Sequence, residues 1–473
     1  SRVRAWLARR VRRVQEALEE RATTAPGAET GRAGIGAETP PPVVQPSAPS
    51  APEIRHVTLP PPGPAPEAAA AEQAVLPPPV PPAPTPLLLN RALQWQDAPF
   101  RVFGWIQNSF TGNANGTPRN HINFGVFPNH LANSWMGNQY YVVFENPLNL
   151  NDTINFGYRI DTLFGHDWQF TKAYGLFDGA WPPNYFAGVD LPQMYGEVHL
   201  PILTPRGLDI RGGRFYSLTG FESPQAIARP LLSVPYTLNF TPFTFFGAVG
   251  TLHINERINL VSGTVNGFDR WINRHYHWGY LGALTWTSRN QKLTLVIGGV
   301  NVPDQLPRFP ARDVPYLPVG VPFIPSLAGQ PNPFYSKSFR AYVVGVLTYK
   351  WTAKLTQAVE SAHVWDPEIL GFGQTPLTPN SAAYHSIVNW FLYDFHPKVT
   401  GVWRSEIFWD PYGLATGVAD NFHEMTLGLN IRPKEWFWIR PEARYDWAQF
   451  THPYNDGTRK SQLTLAFDVI FLF

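Results

Sequence analysis

The chain has 473 residues, a net charge of +2, 14% aromatic and 15% charged residues, and no Cys. Soluble domains usually carry about a quarter charged residues, and no apolar run here is long enough for a transmembrane helix, which excludes a helical membrane protein. The missing Cys forgoes disulfides, and the near-balanced charge gives no reason to propose nucleic acid as a partner.

Residues 1–24 are Arg-rich and helical in pattern. Val3, Leu7, Val11, Val14 and Leu18 are spaced by four, four, three and four, and the last three spacings match a short heptad seam. Arg2, Arg4, Arg9, Arg10, Arg12, Arg13 and Arg21 stand against Glu16, Glu19 and Glu20. Three readings stay open: a solvated helix, a coiled coil that helps hold three barrels together, or a basic tether to the cell wall or another periplasmic component. The chain starts at Ser1 without an initiating Met or signal peptide, which reads as a processed chain or a fragment.

Residues 25–96 form a Pro/Ala-rich linker, expected in the periplasm. Pro40–Pro86 contains eighteen prolines, which cannot donate backbone hydrogen bonds and favour extended polyproline conformation. Fully extended, the segment reaches on the order of 100 Å.

Residues 97–473 contain the fold, an all-β, antiparallel transmembrane barrel. Sixteen strands are predicted to begin near Phe100, Gln139, Ile154, Leu191, Gly207, Asn239, Arg257, Trp278, Lys292, Ser338, Lys354, Ala383, Lys398, Phe422, Glu435 and Ser461. The even-to-odd turns are tight and polar, as at Asn255-Glu256, His396-Pro397 and Pro433-Lys434. The odd-to-even connections are mostly long, including Gly112–Trp135, Gly165–Asp190, Thr219–Thr237 and Pro303–Tyr335. Short periplasmic turns opposite long outer loops are the pattern of outer-membrane barrels, whereas soluble sandwiches have no reason to segregate loop lengths to one edge. Sixteen strands leave room for water inside.

The strand faces predict a polar interior. In the last strand Leu463, Leu465, Phe467, Val469, Phe471 and Phe473 alternate with Gln462, Thr464, Ala466 and Asp468, and the terminal Phe471 and Phe473 read as an assembly signal. In Glu435–Trp447, Arg440, Glu442, Arg444 and Asp446 share one face; in Ile154–Phe164, Asn155, Arg159 and Asp161 do. Arg or Lys facing lipid at the midplane costs about 2–4 kcal/mol. Arg159, Asp161, Glu197, Arg211, Arg214, Arg340, Glu360, Arg404, Glu406, Glu424, Arg440, Glu442, Arg444 and Asp446 are therefore expected to line the pore. They either neutralise one another and stiffen the wall, or set a transverse field that selects solutes. Gly212-Gly213 reads as a bulge that shifts phase between Arg211 and Arg214. The long loop 303–335 is expected to cap the mouth or contact a neighbouring subunit rather than fold inward.

The run Gly157-Tyr158-Arg159-Ile160-Asp161-Thr162-Leu163-Phe164-Gly165, with Pro192-Gln193-Met194-Tyr195-Gly196-Glu197, Gly213-Arg214-Phe215, Pro242-Phe243-Thr244 and Asn266-Gly267-Phe268-Asp269, resembles the OmpL-like beta-barrel porin family. The resemblance covers roughly 97–473 and implies a porin-type outer-membrane channel without an established catalytic residue. His275-Tyr276-His277 offers two imidazoles on one strand face but no evident third metal ligand. No phosphate loop, nucleophile elbow or zinc-helix motif stands out, and no cofactor or metal is expected.

The expected function is a porin for passive diffusion of ions and small hydrophilic solutes, homo-oligomeric with a trimer favoured, embedded among outer-membrane lipids. The rival expectation is a structural barrel that tethers the envelope through residues 1–96.

Overall fold

The computed structural model describes residues 89, 92, 93, 95, 100–149, 153–173, 175–177, 187–272, 278–303, 339–366 and 381–473. The predicted N-terminal helix and, apart from those first four residues, the linker lie outside them. So do the His275/His277 pair and nearly all of the 303–335 loop.

Sixteen strands are described: β1 Arg101–Asn113, β2 Ser134–Asn146, β3 Asn155–Gly165, β4 Gly188–Leu200, β5 Leu208–Tyr216, β6 Thr244–Asn255, β7 Ile258–Val265, β8 Gly279–Thr287, β9 Leu293–Pro303, β10 Phe339–Lys350, β11 Leu355–Asp366, β12 Ala382–His396, β13 Val399–Asp410, β14 Asp420–Lys434, β15 Phe437–Ala448 and β16 Ser461–Leu472. Each is antiparallel to its sequence neighbours, and β1 pairs with β16 to close the ring. Closure removes the free strand edges that neither lipid nor water-poor headgroups could satisfy.

Most strand starts fall within two residues of the sequence expectation, and the exceptions have physical causes. β2 starts at Ser134 rather than Gln139 because its register with β1 shifts between Gln107 and Asn108, breaking the alternation at Asn138. β4 starts at Gly188 rather than Leu191 because its pairing with β3 shifts between Asp161 and Leu163, where Pro192 interrupts the ladder. β6 starts at Thr244 rather than Asn239, since the aromatic run Tyr236–Phe240 is a short helix. The expected bulge at Gly212-Gly213 is absent: both ladders of β5 run through it in unbroken register, and Gly213 instead takes φ +134 beside the Met194 carbonyl.

The alternation sets the faces. On β16, Gln462, Thr464, Ala466 and Asp468 are buried inward while Leu463, Leu465, Phe467 and Phe471 are exposed. Exposed aromatics gather near the two ends of the wall, Trp135, Tyr280, Trp365 and Phe450 at the long-loop end and Phe156, Trp351, Phe395 and Trp436 at the short-turn end, as interfacial girdles do. At the closing seam Phe473 exchanges both backbone hydrogen bonds with Gly104, at 2.9 and 3.0 Å.

Candidate functional site

The interior is organised around one connection. Ser217–Phe243, between β5 and β6, turns into the barrel and crosses it, and inward side chains of the wall bond its backbone. At its start, Phe221 N–H donates to Glu360 on β11 at 2.6 Å, and Glu222 accepts from Trp390 Nε1 on β12 at 2.7 Å. Two residues on, the Pro224 carbonyl accepts from Gln139 of β2, and Ala226 N–H donates back to that side chain at 3.0 Å. The chain then returns past β15 and β13. Arg440 donates to the carbonyls of Ala226 and Arg229, and Arg444 to that of Val234 at 2.6 Å. Glu442 accepts from Leu232 and Ser233, and Arg404 donates to the Ser233 carbonyl at 2.6 Å. Glu406 accepts from both Tyr236 and Thr237 N–H groups at 2.6 and 2.7 Å. A largely irregular segment, helical only over Ala226–Ala228 and Tyr236–Phe240, has many backbone groups to satisfy, and strands supply charged partners at fixed spacing.

The same charges pair with one another. Glu406, Glu424 and Asp446 stand side by side in register across β13, β14 and β15, an arrangement that repels unless cations intervene. Arg404 does so against Glu424 at 2.6 Å, Arg444 against Asp446 at 2.8 Å and Glu424 at 3.6 Å, while Arg440 pairs with Asp468 at 2.5 Å. All seven are essentially fully buried. Buried charges persist only when paired and hydrogen-bonded, so the inward loop and the ion pairs depend on one another.

A second inward connection, between β1 and β2, supports the first. Its Phe124 and Gly125 carbonyls accept from Gln462 and Arg444, and its Phe127 carbonyl from Val234. Gly125, at φ +75, lies where any Cβ would strike the Tyr236 ring, so the two loops interlock only with glycine there. In the same connection His130 is buried within 3.4 Å of His166 Nε2. Burial, with His166 adding to it, holds its pKa down at about 3.

These contacts sort the fourteen residues expected to line the pore. Arg159, Glu197, Arg211 and Arg340 are inward and partly accessible. Arg159 bonds Asp161 and Glu145, Arg211 pairs with Glu197 at 2.8 Å and covers the Tyr195 ring, and Arg340 pairs with Asp366. The other ten are buried, which corrects their expected exposure to open water. Glu360, Arg404, Glu406, Glu424, Arg440, Glu442, Arg444 and Asp446 hold the inward loop or one another. Asp161 is enclosed by Tyr141, Gln193 and Gln225. Arg214 lies beneath the β3–β4 connection, bonded to Asp190, the Thr171 and Leu191 carbonyls and Thr244. Sequence reasoning missed the inward loop itself. Its signal was a long connection with apolar Ala226, Ile227, Leu231, Leu232 and Val234, and few charges, between two polar strands.

A family model described as "Putative beta-barrel porin-2, OmpL-like" matches residues 99–473. The chain belongs to this family. It is an outer-membrane porin, a channel-type barrel for passive diffusion of ions and small hydrophilic solutes. Among solved structures, the anion-selective porin from Comamonas acidovorans is similar at TM-score 0.51 and 8% identity, over 79% of this chain and 99% of that one. OprB of Pseudomonas putida is similar at TM-score 0.50 and 12% identity, over 82% and 97%. Identities this low carry the fold alone. No curated protein matches the chain.

Proposed function

We propose that solutes cross this porin through the interior space left beside the inward Ser217–Phe243 loop, past the partly accessible Arg159, Glu197, Arg211 and Arg340. The observation that carries this reading is the charged clamp on that loop: a pore-narrowing segment needs a fixed position to set a size limit, and Glu442, Glu406, Arg404, Arg440 and Arg444 give it one. The four accessible residues bias the charge of what passes. No step of diffusion requires a reacting group, so the porin works without catalysis, cofactor or metal-assisted chemistry.

The assembly we favour is a homotrimer among outer-membrane lipids, with residues 1–96 in the periplasm as an accessory that can reach the cell wall or a periplasmic partner. Single-channel conductance in a planar bilayer, with the full chain and with residues 1–96 removed, tests this. Stepwise conductance in both, closing in groups of three, supports it. Silence in both refutes it in favour of a structural barrel that tethers the envelope, a reading that the burial of ten of the fourteen expected pore residues also favours.

A further inference from the structure

Both limbs of the inward loop meet β11 and β12 around a small cavity of about 10 Å³, the room of a single water or ion, lined by Ser217, Thr219, Glu222, Thr241, Glu360 and Trp390 among others. Two carboxylates share it. Glu222 uses Oε1 to accept from Trp390 and has Arg404 at 3.7 Å, but its Oε2 is buried without a hydrogen-bond partner. Glu360 Oε2 accepts the Phe221 N–H. The nearby Arg404 is committed to Glu424 at 2.6 Å, Arg229 acts on Glu222 through its field while its ion pair is with Asp167, and the residues lining the cavity include no cation. A buried, unpartnered carboxylate oxygen beside a second carboxylate is costly unless something positive lies between them.

We propose that this cavity binds a hard cation of the calcium type, with Glu222 Oε2 and Glu360 as its carboxylate ligands. The donor chemistry selects the class: carboxylates, the hydroxyls of Ser217, Thr219 and Thr241, and backbone carbonyls are all oxygen, and no lining residue is His or Cys. Such sets suit Ca²⁺, which takes 6–8 oxygens in flexible geometry, and not zinc or copper. Gly220, at φ +113, carries the loop past Glu360, with its Cβ position 3.8 Å from one carboxylate oxygen. The bound ion would join the root of the inward loop to β11 and β12 and so fix where the loop enters the barrel. The site stands whether or not the barrel conducts.

Trp390 gives the test an optical readout, because its indole nitrogen lies 2.7 Å from Glu222 Oε1 and tryptophan sensitises bound terbium. The full chain in detergent micelles is titrated with Tb³⁺ under tryptophan excitation and then with competing Ca²⁺. The expected result is a saturable emission that Ca²⁺ displaces. The affinity should weaken about tenfold or more in Glu222→Gln and Glu360→Gln, and stay unchanged in Asp394→Asn, an exposed carboxylate outside the cavity. Glu222→Asp, which keeps the charge, should fall between wild type and Glu222→Gln. Absence of a saturable site in the wild type, or equal affinity in folded Glu222→Gln and Glu360→Gln, overturns the proposal. Heat-modified gel mobility reports whether each variant folds; should none fold, the wild-type titration decides.

Discussion

Replacing Glu406 by Ala removes the acceptor for two backbone N–H groups of the inward loop, Tyr236 at 2.6 Å and Thr237 at 2.7 Å, and for the Thr237 hydroxyl. All three residues are buried. Leaving a buried N–H unsatisfied costs about 1–3 kcal/mol, so two cost about 2–6 kcal/mol. Water entering the space vacated by the side chain favours the lower end. At about 1.4 kcal/mol per factor of ten, 2 kcal/mol corresponds to roughly 30-fold easier local opening. Hydrogen exchange by mass spectrometry on the micellar protein should therefore show amides in 232–240 exchanging about 30-fold faster, while strand amides of β14–β16 stay protected. Glu406→Gln, which keeps one acceptor oxygen, should fall between. Single-channel conductance of the Ala variant should rise as the loop loosens. Unchanged exchange in 232–240 would refute the reasoning, because the carboxylate would then not be what holds the segment.

The Arg440–Asp468 pair should behave as a unit. Arg440→Met strands a buried Asp468 and should cost about 3–5 kcal/mol in urea unfolding from lipid vesicles, while Arg440→Met with Asp468→Leu should recover only part of that loss, because the Ala226 and Arg229 carbonyls and the Gln107 amide stay without their partners. At the seam, a Cβ on Gly104 would lie 2.1 Å from the Tyr141 carbonyl oxygen and 2.7 Å from the Phe473 ring, so Gly104→Ala should slow folding into vesicles, read as delayed appearance of the heat-modifiable form. His130 titrates at about 3 in the folded loop against an ordinary value near 6.5. The unfolded segment therefore binds more protons below pH 6.5, and the stability of the loop pair 121–133 and 166–171 should fall from pH 6.5 towards 3. Hydrogen exchange in those loops across that range checks it, and His130→Phe should flatten the dependence.

The barrel was legible because alternation is imposed by two solvents at once. Leu463, Leu465 and Phe467 must meet lipid and Gln462, Thr464 and Asp468 must not, whatever the rest of the chain does. Where the ladder carries an extra residue, as at Asn138 and near Pro192, that signal fails locally and the strand start slips. Facing inward is readable from phase, but being wet is not. Arg404 and Arg444 face inward as their phase requires, yet a segment some 170 to 210 residues earlier in the chain covers them. Nothing local to β13 or β15 records that cover. The loop's own composition held the hint, since apolar residues in an outer loop need a place to be buried.

The inward loop also imposes an order on how this porin comes to exist. Ser217–Phe243 leaves the ribosome well before β13 and β15, whose carboxylates and guanidiniums lie about 170 to 210 residues downstream. Ala226 and Ile227 can lie early against Trp105, Tyr141 and Leu163, but Trp438 and Ile470 complete that cluster only when β15 and β16 arrive, Leu231 packs at Gly428 of β14, and the ring cannot shut until β16 reaches β1. Contacts so distant in the chain are the last to repay their closure entropy. The loop is thus a built-in timer and a sticky label: it is stowed only in a barrel whose final quarter has arrived, and a stalled intermediate keeps it on display for holding chaperones and periplasmic proteases to find.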